Sequence, residues 1–207
     1  MVTVPRDARV VVSLRGVHVL GLLAGLIGLL ALGVPFVGSR LASGASRPDA
    51  AVLAATTAGD RALRLVTYDV NSLGYRLSFR PARNDLRGQI DPDAHTITVF
   101  VSLHDAPHRV AHDIAHELGH AYDARFMSPA QRAHYLAVRL RPTVPWWPGT
   151  RAADYVAGAV TDYASGAGDF AEVFALCHAP SPEFRSTMAA RPGDPCGLIP
   201  NVTRRPA

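Results

Sequence analysis

The sequence predicts an α+β fold, with a small, mostly antiparallel sheet followed by helices and one transmembrane helix ahead of both. Three observations predict it. Thr96-Ile97-Thr98-Val99-Phe100-Val101 is rich in β-branched residues and alternates as a strand does. From His108 to Phe126, Ala111, Ile114, Ala115, Leu118 and Tyr122 recur at helical spacing. Val17 to Val37 is apolar or small except for His18, a run of about twenty residues that would span a bilayer as a helix.

Taken in order, residues 1–16 carry Arg6, Arg9 and Arg15 against Asp7 and read as a cytoplasmic N-terminus. Residues 17–37 read as a transmembrane signal anchor, with a cleaved signal peptide as the alternative. The first reading places a single-pass protein in the cell membrane with its domain outside. The second secretes it. Residues 38–62 are rich in Ala, Ser, Gly and Thr and read as a linker or stalk, with a weak helix over 49–63. The domain is expected over 63–180. Its strands are 63–68, 75–79, 86–90 and 96–101, with turn residues at 71–74 and 91–95. Helices follow at 108–126, 130–140, 151–161 and 169–178, and the tail 181–207 is Pro-rich and irregular.

The chain has 207 residues, 48% of them hydrophobic, and a formal net charge of +4. All its basic side chains other than His are Arg. They are scattered and not interleaved with aromatics, so no nucleic-acid partner is expected. Cys177 and Cys196 both follow the apolar segment. An oxidising compartment would join them and staple the tail to the last helix, and two free thiols are the alternative.

The chemistry lies in His116-Glu117-Leu118-Gly119-His120. Histidines four apart on a helix leave the same face one turn apart and can hold one Zn²⁺. Glu117 follows the first of them and can take a proton from water and return it to a leaving amine. A catalytic zinc needs a third protein ligand and an open position. Phe126 stands where one class of such enzymes has a third histidine, so the ligand comes from elsewhere. Glu172 and Asp169 are the acidic residues on the later helix. Asp123 shares the histidine face and is a candidate to orient an imidazole. His112 reads as a surface or packing residue, and Trp146 and Trp147 as a cleft wall or a core cap.

His116–Asp123 (HELGHAYD) and Asp169–Ala175 (DFAEVFA) resemble segments of the gluzincin-like metallopeptidases, the minimal, anthrax lethal factor-like zincins. The resemblance covers about residues 96–178. In the closest pattern the later helix reads E-x-F-A-E and its first Glu binds zinc. That position falls on Gly168 here, and the last Glu on Glu172. Glu172 as ligand, Asp169 as ligand after a local shift, and an incomplete site all stay open. The resemblance implies a zincin-like fold, a zinc cofactor and an oxyanion-stabilising tyrosine, for which Tyr163 is the candidate and Tyr155 the substitute. Together with the apolar segment, it implies a zinc-dependent peptidase cutting a protein or a cell-wall peptide outside the cytoplasmic membrane. The alternative is an inactive zinc-binding or partner-binding domain held at the membrane.

Overall fold

The structure, a computed structural model, describes residues 49–84, 86–148 and 162–200. Helix α1 (Ala50–Leu63) starts at Asp49, whose side chain accepts from the Ala51 N–H, and it buries Ala55, Gly59 and Ala62. The helix expected over 49–63 thus forms, and the later half of the stretch read as a linker or stalk packs into the core. The strand expected over 63–68 does not form, because α1 runs through Leu63. The chain then bonds Thr67 N to the carbonyl of His178 instead of to a ladder.

Strands β1 (Arg76–Pro81), β2 (Gly88–Asp91) and β3 (Thr96–Val101) form a sheet in the order β1-β3-β2. The sheet is mixed, which corrects the expectation of a mostly antiparallel one. A hairpin through Asp91–His95 sets β2 antiparallel to β3, while β1 lies parallel to β3 on its other side, in the register Arg76↔Thr96 to Pro81↔Val101. The link from β1 to β2 therefore crosses the sheet end, a route that hydrophobic alternation does not encode. Ile97 and Val99 of the central strand are fully buried.

Helix α2 (Pro107–Phe126) begins with proline in its first turn, where a missing N–H costs nothing, and every residue from Val110 to Asp123 is buried. Helix α3 (Pro129–Val138) follows, set by a capping box of Ser128 and Gln131. Helix α4 (Gly166–His178) is capped by Ser165 and lies against α2. The close approach requires Gly119, since a Cβ there would stand 2.8 Å from Ala171 Cα. Phe170, Phe174, Ile114 and Leu118 fill the space between the helices and are fully buried, each worth about 1.5–3 kcal/mol.

The tail is not loose. Cys177 and Cys196 form a disulfide, which removes the free-thiol alternative. Residues 183–190 lie as a strap over the start of α4: Thr187 N donates to Tyr163 O at 2.8 Å, and Arg139 Nη2 to Ala190 O at 2.6 Å.

The transmembrane expectation requires correction. Among the described residues no helix is long and apolar enough to cross a membrane. The stretch 17–37 lies outside them, as do the N-terminus 1–16 and the helix expected over 151–161. Single-pass topology, signal anchoring, membrane attachment and placement of the domain outside the cell find no support and are withdrawn.

Candidate metal centre

Helix α2 delivers two imidazoles one turn apart, as its spacing requires. His116 Nε2 and His120 Nε2 stand 3.2 Å apart. The third group facing them is Asp162, from a 3-10 turn at Asp162–Ala164 just ahead of α4. Its Oδ2 lies 2.7 Å from His120 Nε2 and 3.2 Å from His116 Nε2. Among the described residues, these three have ligand atoms that converge closely enough to hold a metal ion. Tetrahedral ligand atoms about 2.0–2.1 Å from a zinc stand about 3.3 Å apart, so the three atoms nearly have that spacing already. Two imidazole nitrogens and one carboxylate oxygen are also a donor set that zinc accepts, with a position left open. The residues present therefore fit a metal.

Asp162 is held by its main chain. Its carbonyl accepts from Ser165 N at 2.8 Å and from Ser165 Oγ at 2.7 Å, while Ser165 also caps α4. Gly168 makes the arrangement possible, since a Cβ at that position would collide with the Asp162 main chain. The glycine at which the resembled pattern has a ligand is thus the seat of the acidic residue that faces the histidines here.

Glu172 is fully buried but lies on the other side of His116. Its Oε1 is 2.9 Å from His116 Nδ1, its two oxygens are 3.2 and 3.3 Å from His112 Nε2, and its Oε2 accepts from Arg185 N at 2.6 Å. It orients the imidazole whose Nε2 faces Asp162, and its own oxygens are engaged away from the metal side. Burial opposes its charge, but hydrogen bonds from His112 and His116 outweigh that and hold its carboxyl well below the usual range. Asp169, the other expected ligand, is spent elsewhere. It accepts from Tyr135 Oη at 2.7 Å, Arg139 Nε at 2.8 Å and Ser186 Oγ at 2.5 Å. Asp123 accepts from Arg132 Nε and Trp146 Nε1 and, among the described residues, from no imidazole. Trp146 packs on Tyr135 and Phe170, and Trp147 is half exposed beneath the Arg132 guanidinium.

Burial also works against charge on His116, but Asp162 and Glu172 hold its pKa well above the ordinary value in the metal-free protein. The same imidazole pair, more than the burial it opposes, pulls the Asp162 carboxyl far down. Glu117 is 7% exposed and has no hydrogen-bond or ion-pair partner among the described residues. Burial pushes its carboxyl up, the two histidines pull it down, and Asp162 and Asp113 push it up further, for a net rise. Its carboxylate lies against Gly88 at the start of edge strand β2, where a Cβ would meet it. Tyr163 stacks edge-on to His116 with ring centres 5.6 Å apart, and its hydroxyl accepts from Arg185 Nη1 at 3.2 Å. Tyr155 lies outside the described residues.

Asp162 and His112 were the residues that sequence reasoning missed. Asp162 sits three residues before a Ser that caps a Gly-rich helix start, which marks a fixed turn but not where its side chain points. His112 sits four residues before His116 and so shares its helix face, which the spacing shows, while its complete burial is seen only in the structure.

No family model, no curated protein and no solved structure matches this chain. The gluzincin-like resemblance is accordingly set aside, since the acid facing the histidines comes from a turn and not from a glutamate on the later helix.

Proposed function

We propose that the protein is a zinc-dependent metallopeptidase whose metal is held by His116, His120 and Asp162. The observation that carries this reading is the convergence of those three ligand atoms beside Glu117, a buried carboxylate with no partner among the described residues. A zinc ion bound there supplies a Lewis acid that polarises a carbonyl and acidifies water.

The remaining work falls to the chain itself. Glu172 fixes His116 by accepting a hydrogen bond from its Nδ1–H, which turns Nε2 toward Asp162 and His120. Glu117 takes the proton of the attacking water on its carboxylate and gives it to the departing amine. In the metal-free protein, burial holds its carboxyl above the ordinary value. Tyr163 receives a hydrogen bond from Arg185, so its own O–H proton remains available to a developing oxyanion. The near-complete burial of His116, His120 and Glu117 keeps the field of these groups strong.

The test uses the full chain with its disulfide formed, metal content measured by mass spectrometry, and hydrolysis followed on a quenched fluorogenic peptide library. Glu117→Gln is expected to keep one zinc per chain and to lose about 10²–10⁴ of the rate. Asp162→Asn is expected to lose both zinc and activity. A Glu117→Gln protein as active as the parent, or an Asp162→Asn protein with unchanged zinc affinity, would overturn the reading.

A further inference from the structure

His112 is fully buried on α2, one turn before His116, and its Nδ1 is the one buried side-chain nitrogen or oxygen among the described residues that finds no hydrogen-bond partner. A histidine that satisfies only one of its two nitrogens is a poor core filler, and a leucine or phenylalanine would occupy the space without that cost. Its other nitrogen explains its presence. Nε2 lies 3.2 Å from one oxygen of Glu172 and 3.3 Å from the other, and so straddles the carboxylate.

The tautomer follows from the surroundings. With the proton on Nδ1, a buried N–H would have no acceptor and the Nε2 lone pair would face a carboxylate. With the proton on Nε2, Glu172 gains a donor and only a lone pair is left unpaired, which is the cheaper orphan.

Glu172 is fully buried, and rotation of a glutamate carboxylate about its last side-chain bond is only weakly restricted by covalent geometry. Two donors, His116 Nδ1 on Oε1 and Arg185 N on Oε2, each hold one oxygen. A third donor lying between the oxygens fixes the plane of the carboxylate. That plane sets the direction in which His116 Nε2 points.

We infer that His112 is a positioning residue of the metal centre, acting through Glu172 on the orientation of His116. The inference rests on the metal-centre reading above. It predicts that the hydrogen bond from position 112, and not the bulk of the residue, governs metal affinity.

The experiment compares the full chain with His112→Gln, His112→Asn and His112→Leu. Gln places an amide N–H near the Nε2 position, Asn stops one methylene short, and Leu has no donor. Zinc affinity is measured by competition with a chromophoric chelator. The visible spectrum of each protein is recorded with cobalt(II) in place of zinc, and each metal-free protein is melted. His112→Leu and His112→Asn are expected to bind zinc about 10–100-fold more weakly and to show an altered cobalt spectrum, with His112→Gln within about threefold of the parent. If the Leu variant does not fold, the Gln and Asn pair decides. Equal losses in Gln and Asn, or a Leu variant that binds zinc like the parent, would overturn the inference while leaving the metal centre standing. A parent chain that binds neither zinc nor cobalt would overturn both.

Discussion

Helices α2 and α4 carry buried carboxylates on two sides, and the two sides are wired differently. Away from the histidine pair, Asp123 and Asp169 are each locked by an arginine and an aromatic donor: Arg132 with Trp146, and Arg139 with Tyr135. Toward the pair, and among the described residues, the side chain of Asp162 in the turn ahead of α4 meets only imidazoles, and Glu117 meets no partner. Glu172 lies between, held by two imidazoles and a backbone N–H. The difference teaches that a buried acid is assigned to structure or to chemistry by its donors and not by its spacing. Asp169 and Glu172 are three residues apart on one short helix and still do different work.

The comparison can be broken at its structural side first. Asp169→Ala leaves the Arg139 guanidinium without its carboxylate in a site that is nearly closed to solvent. The expected cost is about 3–5 kcal/mol, read as a fall in the denaturation midpoint, with zinc affinity below the transition within about threefold of the parent. A large loss of zinc affinity in the folded variant would show that the two sides are not separate.

Removing the metal probes the other side. Chelation of zinc is expected to lower stability by about 2.7 kcal/mol relative to protein held at one hundred times the dissociation constant, and in Asp162→Asn the difference should vanish. Calorimetry with and without chelator measures it. The smallest effect sharpens the boundary between the sides. Gly168→Ala inserts a methyl group against the Asp162 main chain, an overpacking worth about 1–3 kcal/mol. Its signature is a weakened zinc affinity, measured by the same competition titration, because the atoms that must move belong to the ligand turn.

The sequence made the middle of the molecule legible. Helix α2 announces itself by the apolar stripe Ala111, Ile114, Ala115, Leu118 and Tyr122 and strand β3 by its β-branched alternation, and two histidines four apart on such a helix must share a face. The sequence leaves Cys177 and Cys196 either paired or free, and the structure pairs them. What stayed hidden lacks a period. The parallel pairing of β1 with β3 depends on which edge the chain returns to, and alternation does not record that. Asp162 sits in a three-residue turn, where side-chain direction is set by the Ser165 cap and the Gly168 gap. Glu172 and Asp169 drew attention as acids on a helix, but which of them faces the imidazoles depends on the partners Arg139 and Arg185, both remote in sequence from the motif.

The disulfide has a practical consequence at the bench. Cys177–Cys196 closes the strap that carries Arg185, whose N–H holds one oxygen of Glu172, and Ser186, whose hydroxyl reaches Asp169. Buffer additives therefore enter the definition of the sample. A protein prepared or titrated in dithiothreitol is a different molecule from the oxidised one, and a weak metal signal from it says nothing of the native centre. Thiol content should be counted before any metal is added.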